Sequence, residues 1–516
     1  MKNSFFLVIP KQQPVPERLK EFEAKALAQW IAELPFANPL LATRLFYEYL
    51  VEFNSIKMPA QLKLDALEQL QPSLQAVENY LISRLVQNGF PKDNNDNKTL
   101  GLLAAIEKQF TLGYWIIIKE LTGHDISWFQ GKNAALSIQR CIKGLSSLVK
   151  TYLMMGMSVP NWIWMDLHSL YKLSVKIKKN TAQVPSSHSG YSNKTSSPEI
   201  AYLQIILLSL ADARGLMQKE IALVYDFIET IQTLVSFKHR PIQEQAVQCV
   251  IFTDEDMPPL FLADDAITDV DSAKLYVNVT KLLAVLDQGG IAINTAEARF
   301  NALHVTKNAI EQPTKCLLDY LQQRWSGVQL QSAPIFSDRL DRYLAIGLTS
   351  TFKLQKALTA NNDEQLEYLA HSASNRMLSC VFNKTDVLSV GSLVSFRRID
   401  APEHKRFLGI VDLLVVEKEE GGISFGVNML THHCIPVTYL PLNATMQTVP
   451  KPGLFYKSQE SEGGSYLITE TYLLKDNDVI RLFIHQEDFT ILLRKKENIG
   501  IGYWCFECMQ ITEKRK

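Results

Sequence analysis

The 516-residue chain carries 53 Lys and Arg against 54 Asp and Glu, a net charge of −1, and is 47% hydrophobic. That length supports two or three cores, and the even charge balance argues against a nucleic-acid partner. Residues 334–516 alone hold 21 basic and 22 acidic residues, so no strongly basic domain hides behind the average.

Seven cysteines scattered from Cys141 to Cys508 form no disulfide framework and fit a reducing compartment. The apolar run Phe5–Ile9 is too short for a signal peptide. Tyr114–Leu121 and Ile200–Ala211 fall short of the ~20 apolar residues a membrane span needs. The expectation is a cytoplasmic protein without a membrane span.

Along the chain, Leu19, Phe22, Leu27, Trp30, Ile31 and Leu34 recur at helical spacing. Pro35 ends that helix, and Asn38-Pro39 caps and starts the next. Further helices are predicted from Pro59 to about Leu70, Ser73 to about Gln87, Thr99 to Leu121 and Asn133 to about Met155. Their short connections predict antiparallel neighbours, with no repeat period that would make a solenoid. Pro160–Lys176 gathers two tryptophans, a tyrosine and His168, and reads as an aromatic packing helix in preference to a site.

Val184–Pro198 is Ser-rich, without an aliphatic residue after Val184, and is expected to be a mobile loop that proteases nick first within Ser186–Ser197. Helical pattern resumes from Glu199 to about Lys238, interrupted at Gly215. Gln248–Phe252 suits a short strand, and two or three more helices are predicted over Ser272–Trp325. The acidic residues Asp264, Asp265, Asp269 and Asp271 lack calcium-loop spacing and read as a solvated loop. The expected division is a helical domain 1–245, a connecting helical segment 246–333 and a β domain 334–516, the last divisible into 334–445 and 446–516.

From Pro334 the hydrophobic period shortens. Arg376–Phe382, Leu393–Arg397, Ser465–Thr469, Val479–Ile484, Phe489–Arg494 and Tyr503–Ile511 read as strands of one or two barrels. At their centre lies Arg406–Leu430: a β-branched run, Phe407–Val416, expected to be buried on both faces, then a charged tip ending in Gly421-Gly422. The returning arm alternates Ile423, Phe425, Val427 and Met429 against Ser424, Gly426 and Asn428, which predicts an antiparallel hairpin.

Chemical motifs are few. There is no Gly-rich phosphate loop, HExxH, nucleophile elbow or kinase signature, so the chain reads as a non-enzyme with no cofactor. Cys505-Phe-Glu-Cys508 is the sharpest local motif, but its aromatic neighbours indicate a strand, and a zinc site would need a second pair from His432, His433 and Cys434, adjacent residues that a strand points to opposite faces. A thiol redox or metal protein using Cys505 and Cys508 is the third-ranked function. Arginines at 339, 342, 397, 398 and 406 could clamp phosphates or guanine edges at a barrel mouth.

Arg406–Leu430, with Leu408-Gly409-Ile410-Val411 and Phe425-Gly426-Val427, resembles the core hairpin of PilZ domains, bacterial barrels that act as cyclic di-GMP receptors. Leu34-Pro35-Phe36-Ala37-Asn38-Pro39, Pro160–Tyr171 and Leu207-Leu208-Ser209-Leu210-Ala211-Asp212 resemble the long atypical members of that group. The resemblance implies an α+β fold, a multi-helix N-terminal array followed by a C-terminal PilZ-like antiparallel β-barrel region. It also implies a regulatory signalling role with cyclic di-GMP as ligand. PilZ receptors use RxxxR before the barrel and a D/N-x-S-x-x-G motif on an early strand. This chain offers Arg339-Leu-Asp-Arg342, one residue short, and His371-Ser-Ala-Ser-Asn-Arg376, with arginine in place of glycine. The ligand-binding candidates are therefore Arg339, Arg342, Ser372, Ser374, Asn375 and Arg376. The altered motifs also suit a degenerate descendant with weak or lost nucleotide binding. The alternative is a ligand-independent scaffold that binds a partner protein through its helical region.

Overall fold

The computed structural model describes residues 7–511 apart from 88, 123–129, 187–194, 244, 246, 264–272, 294–312, 339, 357–365, 419–420, 443–448, 459–462, 472 and 486. Arg339, the four aspartates from Asp264 to Asp271 and most of the Ser-rich loop lie outside the described residues.

The first half is a helical array: α1 (Ala24–Glu33), α2 (Pro39–Ser55), α3 (Ala60–Leu85), α4 (Asn94–Thr122), α5 (Gln130–Met154) and α6 (Ile163–Lys176). A two-stranded ribbon, β1 (Val184–Pro185) with β2 (Thr195–Ser196), precedes α7 (Pro198–Leu210) and α8 (Gln218–Ile231). Asn38 caps α2 by accepting from the Leu41 amide. The two helices predicted on either side of Pro72 are one, α3. Pro72 removes one ladder bond, but Leu67, Leu70, Leu74 and Val77 are buried in the same core and hold both halves of the helix in line. The expected mobility of 184–198 does not extend to its ends, because Val184 and Ser196 pair and are buried.

His168 on α6 is fully buried, its Nδ1 2.7 Å from the Tyr202 hydroxyl and its Nε2 3.0 Å from the Met257 carbonyl oxygen. Burial pushes its pKa down to about 4. Tyr171 stacks on Tyr202 at 4.5 Å, so this segment is the aromatic packing helix the sequence indicates. Among the described residues no helix is long and apolar enough to cross a membrane. The seven cysteines are all unpaired.

The segment 246–333 departs from its helical expectation. With β3 (Ser236–Lys238) it builds a four-stranded antiparallel sheet from β4 (Val247–Phe252), β5 (Leu260–Ala263) and β6 (Lys274–Asn278), in the order β3-β6-β4-β5. α9 (Thr280–Asp287) and α10 (Lys315–Trp325) follow. The C-terminal end of the predicted helix 199–238 is thus strand β3.

Two closed six-stranded antiparallel barrels complete the α+β fold. Barrel 1 comprises β7 (Arg342–Ile346), which leads into α11 (Leu348–Gln355), then β8 (Tyr368–Ser372), β9 (Met377–Val381), β10 (Leu393–Arg398), β11 (Phe407–Val416) and β12 (Gly422–Thr431). Barrel 2 comprises β13 (Ile435–Pro441), β14 (Lys451–Lys457), β15 (Ser465–Thr469), β16 (Val479–Ile484), β17 (Glu487–Gly500) and β18 (Tyr503–Gln510). The chain passes between barrels at 432–434, earlier than the 445/446 division expected from sequence, since β13 pairs with β14 and β16.

The central hairpin is β11–β12, and Gly421 at its tip takes φ +76°. Ile423, Phe425 and Val427 enter the barrel 1 core together with Val411 and Leu414. Strand alternation points Leu408 and Ile410 the other way, into a core shared with Leu454, Ile468 and Cys505 of barrel 2, and the register shift between Val411 and Leu413 brings Leu414 back to the barrel 1 side. β11 is therefore buried on both faces because it lies between two cores. The barrel 1 core is completed by two residues of the helical region, Phe90 and Met217. Leu388 and Phe90 are joined by an isolated bridge.

Candidate functional site

The sequence candidates gather where the segment leading into barrel 1 crosses its surface. Ser332 donates to Asp412 on β11 at 2.7 Å. It sits so close to Gly426 that a Cβ there would fall 1.7 Å from the Ser332 hydroxyl oxygen. Any side chain at 426 would force Ser332 aside and loosen the seating on the barrel of this strap, residues 332–338 and 340–341.

The strap then meets the turn between β8 and β9. The Asn375 carbonyl accepts from the Ile335 amide at 2.8 Å, and the Ser372 hydroxyl donates to the Leu340 carbonyl at 2.9 Å. Ser374 accepts from the Arg376 amide at 3.1 Å, and the Arg376 guanidinium donates to the Ser332 carbonyl at 2.8 Å. Phe336 packs edge-on against Phe396 at 5.3 Å. Arg342, Ser372, Ser374, Asn375 and Arg376 thus lie on or beside one strap-and-turn junction.

Arg342 is the first residue of β7, inside the barrel rather than ahead of it, and is buried. Its guanidinium donates to Asp338 at 2.5 Å and to the Leu340 carbonyl at 2.7 Å, and covers the Phe336 ring at 4.3 Å. The Arg342 guanidinium and the Leu340 amide hold the Asp338 carboxyl below its ordinary pKa. Asp338 thus takes up the Arg342 guanidinium, and the Ser332 carbonyl accepts from that of Arg376.

The other arginines also face an internal anion. Arg397 binds Glu367 through Nε and Nη2 at 3.0 and 2.8 Å, while fully buried Arg406 reaches the same carboxylate at 2.5 Å and Ser395 at 2.9 Å. Arg397 also covers the Tyr343 ring at 4.6 Å. Burial opposes ionisation of Glu367, but the two guanidinium groups outweigh it and its pKa is lowered. Arg398 pairs with Asp400. Sequence reasoning missed both carboxylates. Asp338 could have been found four residues before Arg342, whereas Glu367 is 30 and 39 residues from its partners and left no local signal.

Cys505 and Cys508 point away from each other. Cys505 enters the core between the barrels, and Cys508 packs against the separate core of barrel 2. Burial raises both thiols, to about 11 and about 12. Among the described residues no three His, Cys, Asp or Glu side chains gather as metal ligands.

The architecture is a helical array followed by two closed antiparallel barrels. Residues 25–241 match the family model described as the N-terminal domain of the cyclic-di-GMP receptor FimW. The cyclic-di-GMP receptor FimW of Pseudomonas aeruginosa is 26% identical over 214 residues, 42% of this chain and 35% of that protein. The aligned part is about a third of the relative's length. No solved structure matches. The chain is therefore similar to a cyclic-di-GMP receptor over its helical region, and the three helical stretches that carry the sequence resemblance all fall within the matched residues.

Proposed function

We propose that this chain is a non-catalytic cyclic di-GMP receptor of atypical PilZ type, with the nucleotide meeting barrel 1 where the strap crosses the β8–β9 turn. The observation that carries the reading is the junction itself. The strap is hydrogen-bonded to Ser372 at the end of β8 and to the turn bearing Ser374, Asn375 and Arg376, with Arg342 at the start of β7 beside them, at the edge of a six-stranded barrel. The similarity of residues 25–241 to a cyclic-di-GMP receptor supports the ligand class. Because Arg342 and Arg376 already hold Asp338 and Ser332, a phosphate must displace these partners, and the expected affinity is weak.

Calorimetry with cyclic di-GMP tests this. Arg376→Ala should weaken binding about tenfold or more, as loss of a charge-assisted contact does. Asp338→Asn, which loosens the grip on Arg342, should tighten it. Binding unchanged in both variants places the ligand elsewhere. No binding by any form leaves the alternative, a ligand-independent interaction scaffold, which the internal partners of Arg342 and Arg376 also favour.

A further inference from the structure

A cavity of about 560 Å³ opens where the helical region, barrel 1 and the β17–β18 turn of barrel 2 meet. That volume lies in the range of small-molecule sites. No residue of the strap or the β8–β9 turn lines it. One part of the lining is apolar, built from Phe90, Met154, Met217, Leu414 and Val416, and methionine side chains adapt readily to irregular guests. The rest is polar and positively charged at the start of α8.

Three observations set the charge there. Arg214 and Lys219 both line the cavity. Arg214 is held by Asp212 through two bonds, at 2.8 and 2.5 Å, and so is fixed and largely neutralised. Lys219 is exposed, with no partner among the described residues. It sits in the first turn of the 14-residue helix α8, where the buried Glu220 carboxylate accepts from the Met217 amide and caps the helix, so the charge offered to the cavity is the lysine's own. Across the cavity, the Asp386 carboxylate is already occupied by the Gly89 amide.

We propose that this cavity is a second ligand site that takes an amphipathic organic anion, its apolar body against Met154, Met217 and Leu414 and its charged group at Lys219. Because its walls come from three parts of the chain, an occupant touches the helical region and both barrels at once.

The full chain is titrated with anilinonaphthalene sulfonate, an aromatic body carrying one sulfonate, and the bound dye is then challenged separately with decanoate and with cyclic di-GMP. Saturable binding of one dye per chain is expected, displaced by decanoate and not by cyclic di-GMP. Lys219→Glu should weaken it about tenfold. Val415→Trp, at a half-buried lining position, should abolish it, with melting temperatures confirming that both variants fold. Failure to saturate, or affinity unchanged by both variants, overturns the proposal. Displacement by cyclic di-GMP also overturns it, by making the cavity the nucleotide's own pocket, whereas failure of the strap reading leaves these outcomes unaffected.

Discussion

The helical core and barrel 1 bury charge in opposite ways. In barrel 1 each deeply buried arginine grips a carboxylate: Arg342 holds Asp338, and Arg397 and Arg406 share Glu367. The helical core has paired charges too, such as Arg140 with Glu68, but it also buries groups that lack an opposite charge in contact. Lys63, 1% exposed, donates among the described residues only to the Phe53 carbonyl at 3.1 Å and lies 4.1 Å from the Phe53 ring, and burial lowers its pKa to about 7. Glu107 accepts from Ser147 at 2.7 Å while its other oxygen has no partner; burial, then the nearby Glu78 carboxylate, raise its pKa well above the ordinary value. Clamped charges make a barrel that prefers its groups ionised. Unclamped ones make a helical core that prefers them neutral.

The largest expected effect breaks the clamp. Glu367→Ala leaves two guanidinium groups, one of them fully buried, without a counter-charge and should cost about 3–5 kcal/mol. Hydrogen exchange of peptides from β10 and β11 reads this locally. The wild-type contribution of Glu367, whose folded pKa is lowered, is present above its unfolded pKa of about 4.5 and is lost as pH falls further. A loss below about 1 kcal/mol would remove the contrast between the two regions.

Lys63→Met should act in the other direction, stabilising the helical core by about 2 kcal/mol near pH 6. Between a folded pKa of about 7 and an unfolded value of 10.5 the unfolded chain binds more protons, so wild-type stability rises with pH across that window. The gain from the substitution should therefore shrink through the same window, read by denaturant midpoints. A gain independent of pH would assign it to packing alone.

The smallest effect belongs to Glu107→Gln. A carboxyl with a raised folded pKa contributes stability below its unfolded pKa and loses it as pH rises through the folded value. Near pH 4 the variant should match wild type, and near pH 8 it should exceed it by about 1 kcal/mol in exchange of α4 and α5 peptides. A variant less stable at both pH values would mean that Glu107 is ionised and paired.

Strands with strong β-branched or alternating composition were legible in the sequence: β15 and β16 fall on the predicted ranges, and the central hairpin has its predicted inward face. β6 was not, because Leu275, Val279, Leu282 and Leu286 continue one helical spacing from the strand into α9. β13 and β14 carry prolines, which weaken a strand signal. Ser372, Ser374, Asn375 and Arg376 were chosen as candidates through motif position, and the fold brings them together beside the strap. Asp338 and Glu367 were not, since what makes them important is the arginine each neutralises in three dimensions.

The plug formed by Phe90 and Met217 has a consequence for how this protein can be made and cut. Both residues leave the ribosome long before the first strand of barrel 1, so the helical region waits with two apolar side chains uncovered until the barrel arrives. A fragment beginning at Pro334 would lack this plug and also Ser332, the anchor of the strap. Its barrel would present an open apolar mouth to other chains, so recombinant work on the C-terminal half calls for co-expression with the helical region rather than excision.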